Sequence, residues 1–332
     1  MDKPKCVVIG TGSIGWRHLN VLNNSGKVDI FAFPKRRERM HELVNSGYKV
    51  VENWKQVQEI GIQHAIVATD TLQHPQDIMA AFQAGCDVLS EKPLAVNTKD
   101  ALILLRSART MGRGLYVGTC LRFQEALNTF RELLNQVGHV HGVRIECRSY
   151  LPEWRPQRPY RDSYSARPNE GGVLRDLIHE IDYATWIFGW PKSVMAKVRS
   201  TQRLDIMAED TADIIWETED GNMVSISLDY LSRPPRRSLV VFGEYGTLEW
   251  DGLLREVKLS LAGKDAAVYT SMQLPDKMYQ DQDLDFLLFG STPSLTKLAR
   301  GEEGVRTLAI CDAARASSEE HVEIAVDYSM EQ

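Results

Sequence analysis

A glycine-rich stretch set directly behind an apolar run constrains this chain more than any other feature. Cys6-Val7-Val8-Ile9 runs into Gly10-Thr11-Gly12-Ser13-Ile14-Gly15, and a helical pattern opens within the glycine segment. In that setting one glycine permits a tight turn, one lets a bulky anion approach the backbone, and one lets helix and strand pack closely. The N–H groups and positive dipole end of the helix start then attract phosphate. Gly10, Thr11, Gly12, Ser13, Ile14 and Gly15 are therefore read as the pyrophosphate loop of a dinucleotide site.

The pattern around the loop agrees. Up to about residue 120, short apolar runs alternate with helical stretches, which implies βαβ units and a parallel, Rossmann-type sheet. Beyond it, strand-like runs follow one another with turn signals such as Glu219-Asp220-Gly221-Asn222 and Arg233-Pro234-Pro235, which implies an antiparallel sheet. The expected architecture is α/β: a dinucleotide-binding domain over 1–120, then an α+β domain over 121–332 with a largely antiparallel open sheet.

Composition narrows the partners. Lys and Arg number 39 against 45 Asp and Glu, a net charge of −6, which argues against a nucleic-acid or anionic-membrane binder. The five cysteines are scattered without a Cys-x-x-Cys, so neither a disulfide framework nor a metal site is expected. The N-terminus shows no secretory pattern, and no apolar run reaches the ~18 residues of a membrane span. A cytoplasmic protein is the expectation.

The end of the second strand refines the cofactor. Phe31-Ala32-Phe33-Pro34 is followed by Lys35-Arg36-Arg37, with no carboxylate at the place where one would hold a ribose 2′-hydroxyl. Lys35, Arg36 and Arg37 suit a 2′-phosphate, so NADP is expected, with NAD as the alternative.

Two later segments carry chemistry. Ser90-Glu91-Lys92-Pro93 follows a strand, and ligands of such sheets bind beyond the strands' carboxyl ends. The Lys92 ammonium there would stabilise a developing alkoxide or help move a hydroxyl proton. The second segment runs from Gly171-Gly172 through Asp176, His179 and Asp182 to Phe188. As one helix, it gathers Leu174, Leu177, Ile178 and Ile181 on one face. Asp176, His179, Tyr183 and Trp186 fall on the other, like the wall of a polar cleft. His179, with an intrinsic pKa near neutral, is the candidate proton-transfer group, and Asp176 or Asp182 would orient it.

Together these segments resemble the Gfo/Idh/MocA family of oxidoreductases, in glucose–fructose oxidoreductase and inositol dehydrogenase-like form. The resemblance runs through Gly10–Gly15 with His18, Ala68-Thr69-Asp70-Thr71 with His74, and Glu91-Lys92-Pro93. It continues through Arg122-Phe123, Gly171-Gly172 with His179 and Asp182, and Gly243–Leu248. It implies hydride transfer between a nicotinamide cofactor and a sugar or sugar-derivative hydroxyl or carbonyl, in a homodimer or homotetramer packed through the C-terminal sheet. It makes Lys92 and His179 the catalytic pair. Thr69, Asp70, His74 and Glu91 join the cofactor contacts, and Arg122 the substrate contacts. One position departs from the family: the aspartate usually found four residues before the histidine is Arg175 here, and Asp176 stands three before.

Residues 151–170, LPEWRPQRPYRDSYSARPNE, precede the histidine segment and hold four arginines, three aromatic residues and four prolines. Long ordered loops of this kind often form binding walls. Aromatic faces suit sugar rings and arginine forks suit carboxylate or phosphate. Trp154, Arg155, Tyr160, Arg161 and Tyr164, with Asp176 and His179, are therefore candidate contacts for an anionic sugar. The opposing view is that these arginines pair with the protein's own acids or with a neighbouring subunit. Two other functions are weighed: a redox-assisted NAD-dependent glycosidase, in which the cofactor is not consumed, and a non-enzymatic dinucleotide-sensing regulator.

Overall fold

The computed structural model describes residues 3–289 and 296–329. In chain order, its first elements are Lys5–Ile9 (β1), Ser13–Ser25 (α1), Asp29–Phe33 (β2), Arg39–Asn45 (α2), Lys49–Val50 (β3), Trp54–Ile60 (α3), His64–Val67 (β4), His74–Gln83 (α4), Asp87–Glu91 (β5), Thr98–Met111 (α5) and Leu115–Gly118 (β6). Next come Glu125–Leu133 (α6), Val140–Arg148 (β7), Val173–Asp176 (α7), His179–Phe188 (α8), Ser193–Arg199 (β8), Thr211–Glu217 (β9), Met223–Asp229 (β10), Arg236–Gly243 (β11), Gly246–Asp251 (β12), Glu256–Leu261 (β13) and Ala267–Thr270 (β14). The chain closes with Pro275–Phe289 (α9), Ala299–Arg300 (β15), Gly301–Glu320 (α10) and Ile324–Ala325 (β16).

These elements form two compact units. Among the described residues, the first holds 3–123, 274–289 and 296–305, and the second holds 124–273 and 306–329. The crossover after Phe123 falls close to residue 120. The sequence pattern did not show that 274–305 return to the first unit.

In the first unit the strand order is β15-β6-β5-β4-β1-β2-β3. All neighbours run parallel except β15, which pairs antiparallel with β6. Without β15, the order is that of a doubly wound dinucleotide-binding sheet, with its switch point between β1 and β4. The central strands read as continuous apolar runs because helices cover both faces: Val7, Val8, Ile9, Ala65, Ile66 and Val67 are all fully buried. Helices α3 and α5 begin at Asn53 and Asn97, whose side chains accept from the N–H of Gln56 and Asp100. They end at the left-handed glycines Gly61 and Gly112.

In the second unit a nine-stranded sheet runs β14-β13-β12-β11-β7-β10-β9-β8-β16. Its neighbours are antiparallel except β7 and β10, which run parallel. One sheet face is buried, with Val143, Ile145, Ala212, Ile214, Trp216, Val224, Ile226, Leu239, Val241, Leu248 and Trp250 turned inward. The alternate residues are half-buried or exposed, as period-2 patterning requires.

Candidate functional site

The glycine loop has the stereochemistry that the sequence implies. Gly10 adopts φ +85°, and a Cβ there would lie 2.7 Å from the Ala68 carbonyl oxygen. A Cβ on Gly15 would lie 1.9 Å from the Gly10 carbonyl oxygen, so α1 packs on β1 only because Gly15 has no side chain. Gly12 is the opposite case: a Cβ there would meet nothing within 4 Å, and Gly12 and Ser13 are exposed. Gly12 caps α1 without a side-chain hydrogen bond, and no acid sits in the first turn. A helix start that is uncapped, open and free of negative charge fits a pyrophosphate.

Other predicted cofactor residues gather at the same carboxyl edge. Lys35 follows β2, and its Nζ lies 2.5 Å from Asp77 Oδ1. The hydroxyl of Thr69, beyond β4, donates to Asp77 Oδ2 at 2.9 Å. Asp77 is buried on α4, and no local pattern in the sequence marks it. It neutralises Lys35, which leaves Arg36 and Arg37 of the basic trio exposed in a turn. That turn precedes α2, which begins at Arg39. Asp70 is exposed at the start of the next turn. His74 is buried, with its ring nitrogens 3.0 Å from the carbonyl oxygens of Thr69 and Pro93, and a neutral ring donates to one of them at a time. Burial pushes its imidazole below the usual range. His74 thus ties the loop after β4 to the loop after β5 that carries Lys92, acting as a brace between loops.

Two residues are turned inward. The Glu91 carboxylate accepts from His18 at 3.1 Å and is nearly buried. Arg122 was expected among the substrate contacts. It is instead 2% exposed and ion-paired with Glu303 at 2.8 Å inside the first unit.

The second unit corrects the helix expected over 173–188. Helix α7 stops at Asp176, Leu177 leaves helical geometry at φ −97° and ψ 29°, and α8 begins at His179. Across the jog, the Glu180 N–H reaches the Leu177 carbonyl, a tighter bond than the α-helical one. The rotation of 100° per residue therefore does not carry across the jog. Tyr183 is fully buried with its ring edge-on to Trp250 at 5.5 Å, and Trp186 lies under the Arg131 guanidinium at 4.4 Å. Neither belongs to a polar wall. Glu180 is fully buried and ion-paired with Arg237 of β11 at 2.8 Å, which anchors α8 beside His179. His179 itself is buried at the first position of α8.

Asp176 is buried and accepts a 2.7 Å hydrogen bond from the Tyr230 hydroxyl, and its charge acts on the Tyr164 phenol too. Burial and the Asp176 charge push both phenols well above their ordinary range, so both remain protonated donors. The Trp154 ring meets Tyr230 edge-on at 5.3 Å, and the Arg155 charge acts on Tyr164. Trp154 and Asp176 are thus brought together at Tyr230, which the sequence did not single out, with Tyr164 within reach of the Asp176 charge. Other residues of this loop serve the protein itself. The Tyr160 hydroxyl donates to the Leu204 carbonyl at 3.0 Å, Arg161 pairs with Asp205 at 2.7 Å, and Arg167 pairs with Glu170 at 2.5 Å. Arg175, at the departing position, donates to the carbonyls of Gly171 and Pro168 and closes the loop onto α7. The Gly243–Leu248 signature is a hairpin: a Cβ on Gly246 would meet the Ser260 carbonyl oxygen at 2.0 Å, so its role is packing.

Comparison with known proteins agrees with this geometry. Residues 4–119 match the oxidoreductase family with an NAD-binding Rossmann fold, and residues 128–249 match the GFO/IDH/MocA C-terminal domain. The chain belongs to the Gfo/Idh/MocA family of oxidoreductases. Glucose-6-phosphate 3-dehydrogenase of Bacillus subtilis is 24% identical to it over 69% of this chain and 69% of its own length. Levoglucosan dehydrogenase, solved in complex with NADH, has a TM-score of 0.85 at 15% identity, covering 98% of this chain and 100% of that one. The WlbA dehydrogenase from Bordetella pertussis, solved with NADH and UDP-GlcNAcA, has a TM-score of 0.80 at 22% identity, covering 98% and 99%. At these identities the two structures speak for the fold alone. No helix among the described residues is long and apolar enough to cross a membrane.

Proposed function

We propose that this protein is an NAD(P)-dependent dehydrogenase or reductase acting on a hydroxyl or carbonyl of a sugar derivative, with an anionic sugar as the substrate class. The observation that carries this reading is the carboxyl edge of the first sheet. There the open α1 start, the Thr69 loop and the Lys92 loop follow the adjacent strands β1, β4 and β5, at a topological switch point. When bound, a nicotinamide cofactor supplies the hydride acceptor or donor. The chain's part is to hold the cofactor's pyrophosphate on Gly12 and α1, to stabilise charge on the reacting oxygen with Lys92, and to exchange its proton through His179. Asp176, held by the Tyr230 hydroxyl, is a positioning group on this reading. Trp154 and Arg155 supply an apolar face and a cation for the sugar. Glucose-6-phosphate, in the name of the Bacillus subtilis relative, is an anionic sugar. A thermal-shift screen of sugar phosphates, sugar acids and nucleotide sugars with NADPH present should find a stabilising ligand. Stabilisation by neutral polyols alone would contradict the anionic assignment.

NADP is the proposed cofactor. With Lys35 engaged by Asp77, Arg36 and Arg37 are assigned to the 2′-phosphate. NADPH should bind more tightly than NADH by fluorescence titration, and Arg36→Ala with Arg37→Ala should weaken NADPH far more than NADH. Equal affinities, or an NADH preference, would assign the turn to solvent and the cofactor to NAD.

A second copy of the chain is the proposed partner of the outer face of the nine-stranded sheet. Met195 is opposite Ile215, while Met223 and Phe242 both stand opposite Gly142. Each of these four side chains is more than a third exposed. Light scattering should give a dimer or tetramer, and Phe242→Arg should shift it toward monomer. A monomeric parent protein would contradict the assignment.

A further inference from the structure

Three charged side chains from distant parts of the sequence meet inside the first unit. His18 on α1 is fully buried, with Nδ1 2.7 Å from Asp283 Oδ2 on α9 and Nε2 3.1 Å from Glu91 Oε1 at the end of β5. Both ring nitrogens face carboxylate oxygens, and a neutral imidazole can donate from only one of its nitrogens. An imidazolium donating to both satisfies the arrangement. Asp283 is also fully buried, and its other oxygen accepts from Gln282 at 3.3 Å. Gly118 makes room for Glu91, since a Cβ there would lie 2.8 Å from Glu91 Oε1. The other ionisable neighbours are the Cys6 thiol, the Cys120 thiol, the His74 ring on the Glu91 side, and Tyr279, whose ring lies edge-on to His18 beneath the Arg17 guanidinium. Burial opposes charge on the His18 ring, but the two carboxylates outweigh it and push the group up to about 10.

We propose that His18 is a positioning residue that clamps Glu91, and with it the adjoining Lys92 backbone, to helix α9. The role rests on the reading of Lys92 as the group that acts on the reacting oxygen. The clamp has two consequences. It fixes the β5 end between α1 and α9, elements that the chain joins only by returning to the first unit. It also keeps the Glu91 carboxylate turned inward, where it does not capture the neighbouring ammonium. Removing the imidazolium leaves two buried carboxylates facing each other, a state relieved by one of them taking up a proton or by Glu91 turning outward; either way the clamp on Glu91 is lost.

The test uses the full-length protein with His18→Gln and the milder Asp283→Asn. In protein labelled with nitrogen-15 at histidine, one ring should stay protonated on both nitrogens at pH ~9, well above the ordinary imidazole range. That signal should be absent from His18→Gln and should titrate at lower pH in Asp283→Asn. Acetylation of Lys92 by acetic anhydride, read by peptide mass spectrometry, should be slowed roughly tenfold or more by saturating NADPH in the parent protein. In both variants NADPH should still bind, with a dissociation constant within about threefold of the parent's, while protection of Lys92 falls below about twofold. A neutral His18 ring at that pH, or parent-like protection in both variants, would overturn the clamp. If NADPH fails to protect Lys92 even in the parent protein, the cofactor-side reading of Lys92 is what fails. The clamp is then decided by the ring signal at pH ~9, assigned to His18 by its loss in His18→Gln.

Discussion

Lys92→Ala and His179→Ala each slow single-turnover hydride transfer by ~10²–10⁴-fold at saturating cofactor, the usual worth of a positioned acid, base or charge. The NADPH dissociation constant stays within about threefold, because on this reading Gly12 and α1 hold the pyrophosphate and neither variant touches them. Asp176→Asn costs less than either. Its carboxylate accepts from the Tyr230 hydroxyl, and an amide oxygen preserves that bond. If Asp176→Asn proves as damaging as His179→Ala, the aspartate lies on the proton path and Tyr230 is part of that path. Near-normal rates in both Lys92→Ala and His179→Ala would place the chemistry on other residues.

The second large effect separates two glycines of one loop. Gly15→Ala puts a methyl group 1.9 Å from the Gly10 carbonyl oxygen, a clash with backbone that only a shift of α1 away from β1 relieves. A cost of ~4 kcal/mol or more is expected, which lowers the melting temperature by roughly 10 °C or prevents folding. Gly12→Ala meets nothing within 4 Å and sits at an ordinary φ of −72°, so its melting temperature should match the parent's. The added methyl instead occupies the surface offered to the pyrophosphate, and dinucleotide binding should weaken by about tenfold or more. Scanning calorimetry and cofactor titration on the same two variants read both effects. If Gly12→Ala binds cofactor normally, the anion does not lie on this loop.

What could be read in the sequence was local. The strand–glycine–helix motif and the alternation of apolar runs with helices depend on neighbours a few residues apart, and both appear in the structure as the sheet built around β1. The Lys92 position at a strand's carboxyl end was legible for the same reason. What escaped depends on long-range contact. Asp283 lies 265 residues from His18, and nothing in the pattern of α9 marks it as a part of the first unit. Asp77 reads as an ordinary helix acid until the fold brings it to Lys35 and Thr69. Tyr230 reads as the end of a strand until it meets Asp176. The jog at Leu177 defeated the helical projection because periodicity assumes an unbroken ladder, and both Leu177 and Ile178 keep their burial through the turn. In the 151–170 loop, charge could be counted but not partnered, and Asp205 and Glu170 take two of its arginines.

The most direct test of the proposed function is the stoichiometry of one reaction. The purified protein, a sugar that stabilises it in the thermal screen, and NADP+ or NAD+ are mixed, and nicotinamide absorbance is followed while the sugar product is identified by mass spectrometry. The proposal predicts one reduced cofactor for each sugar oxidised at a hydroxyl, with the reverse reaction when the carbonyl and NADPH are supplied. Cleavage of a glycoside with no net change in the nicotinamide would contradict it and identify a redox-assisted glycosidase instead.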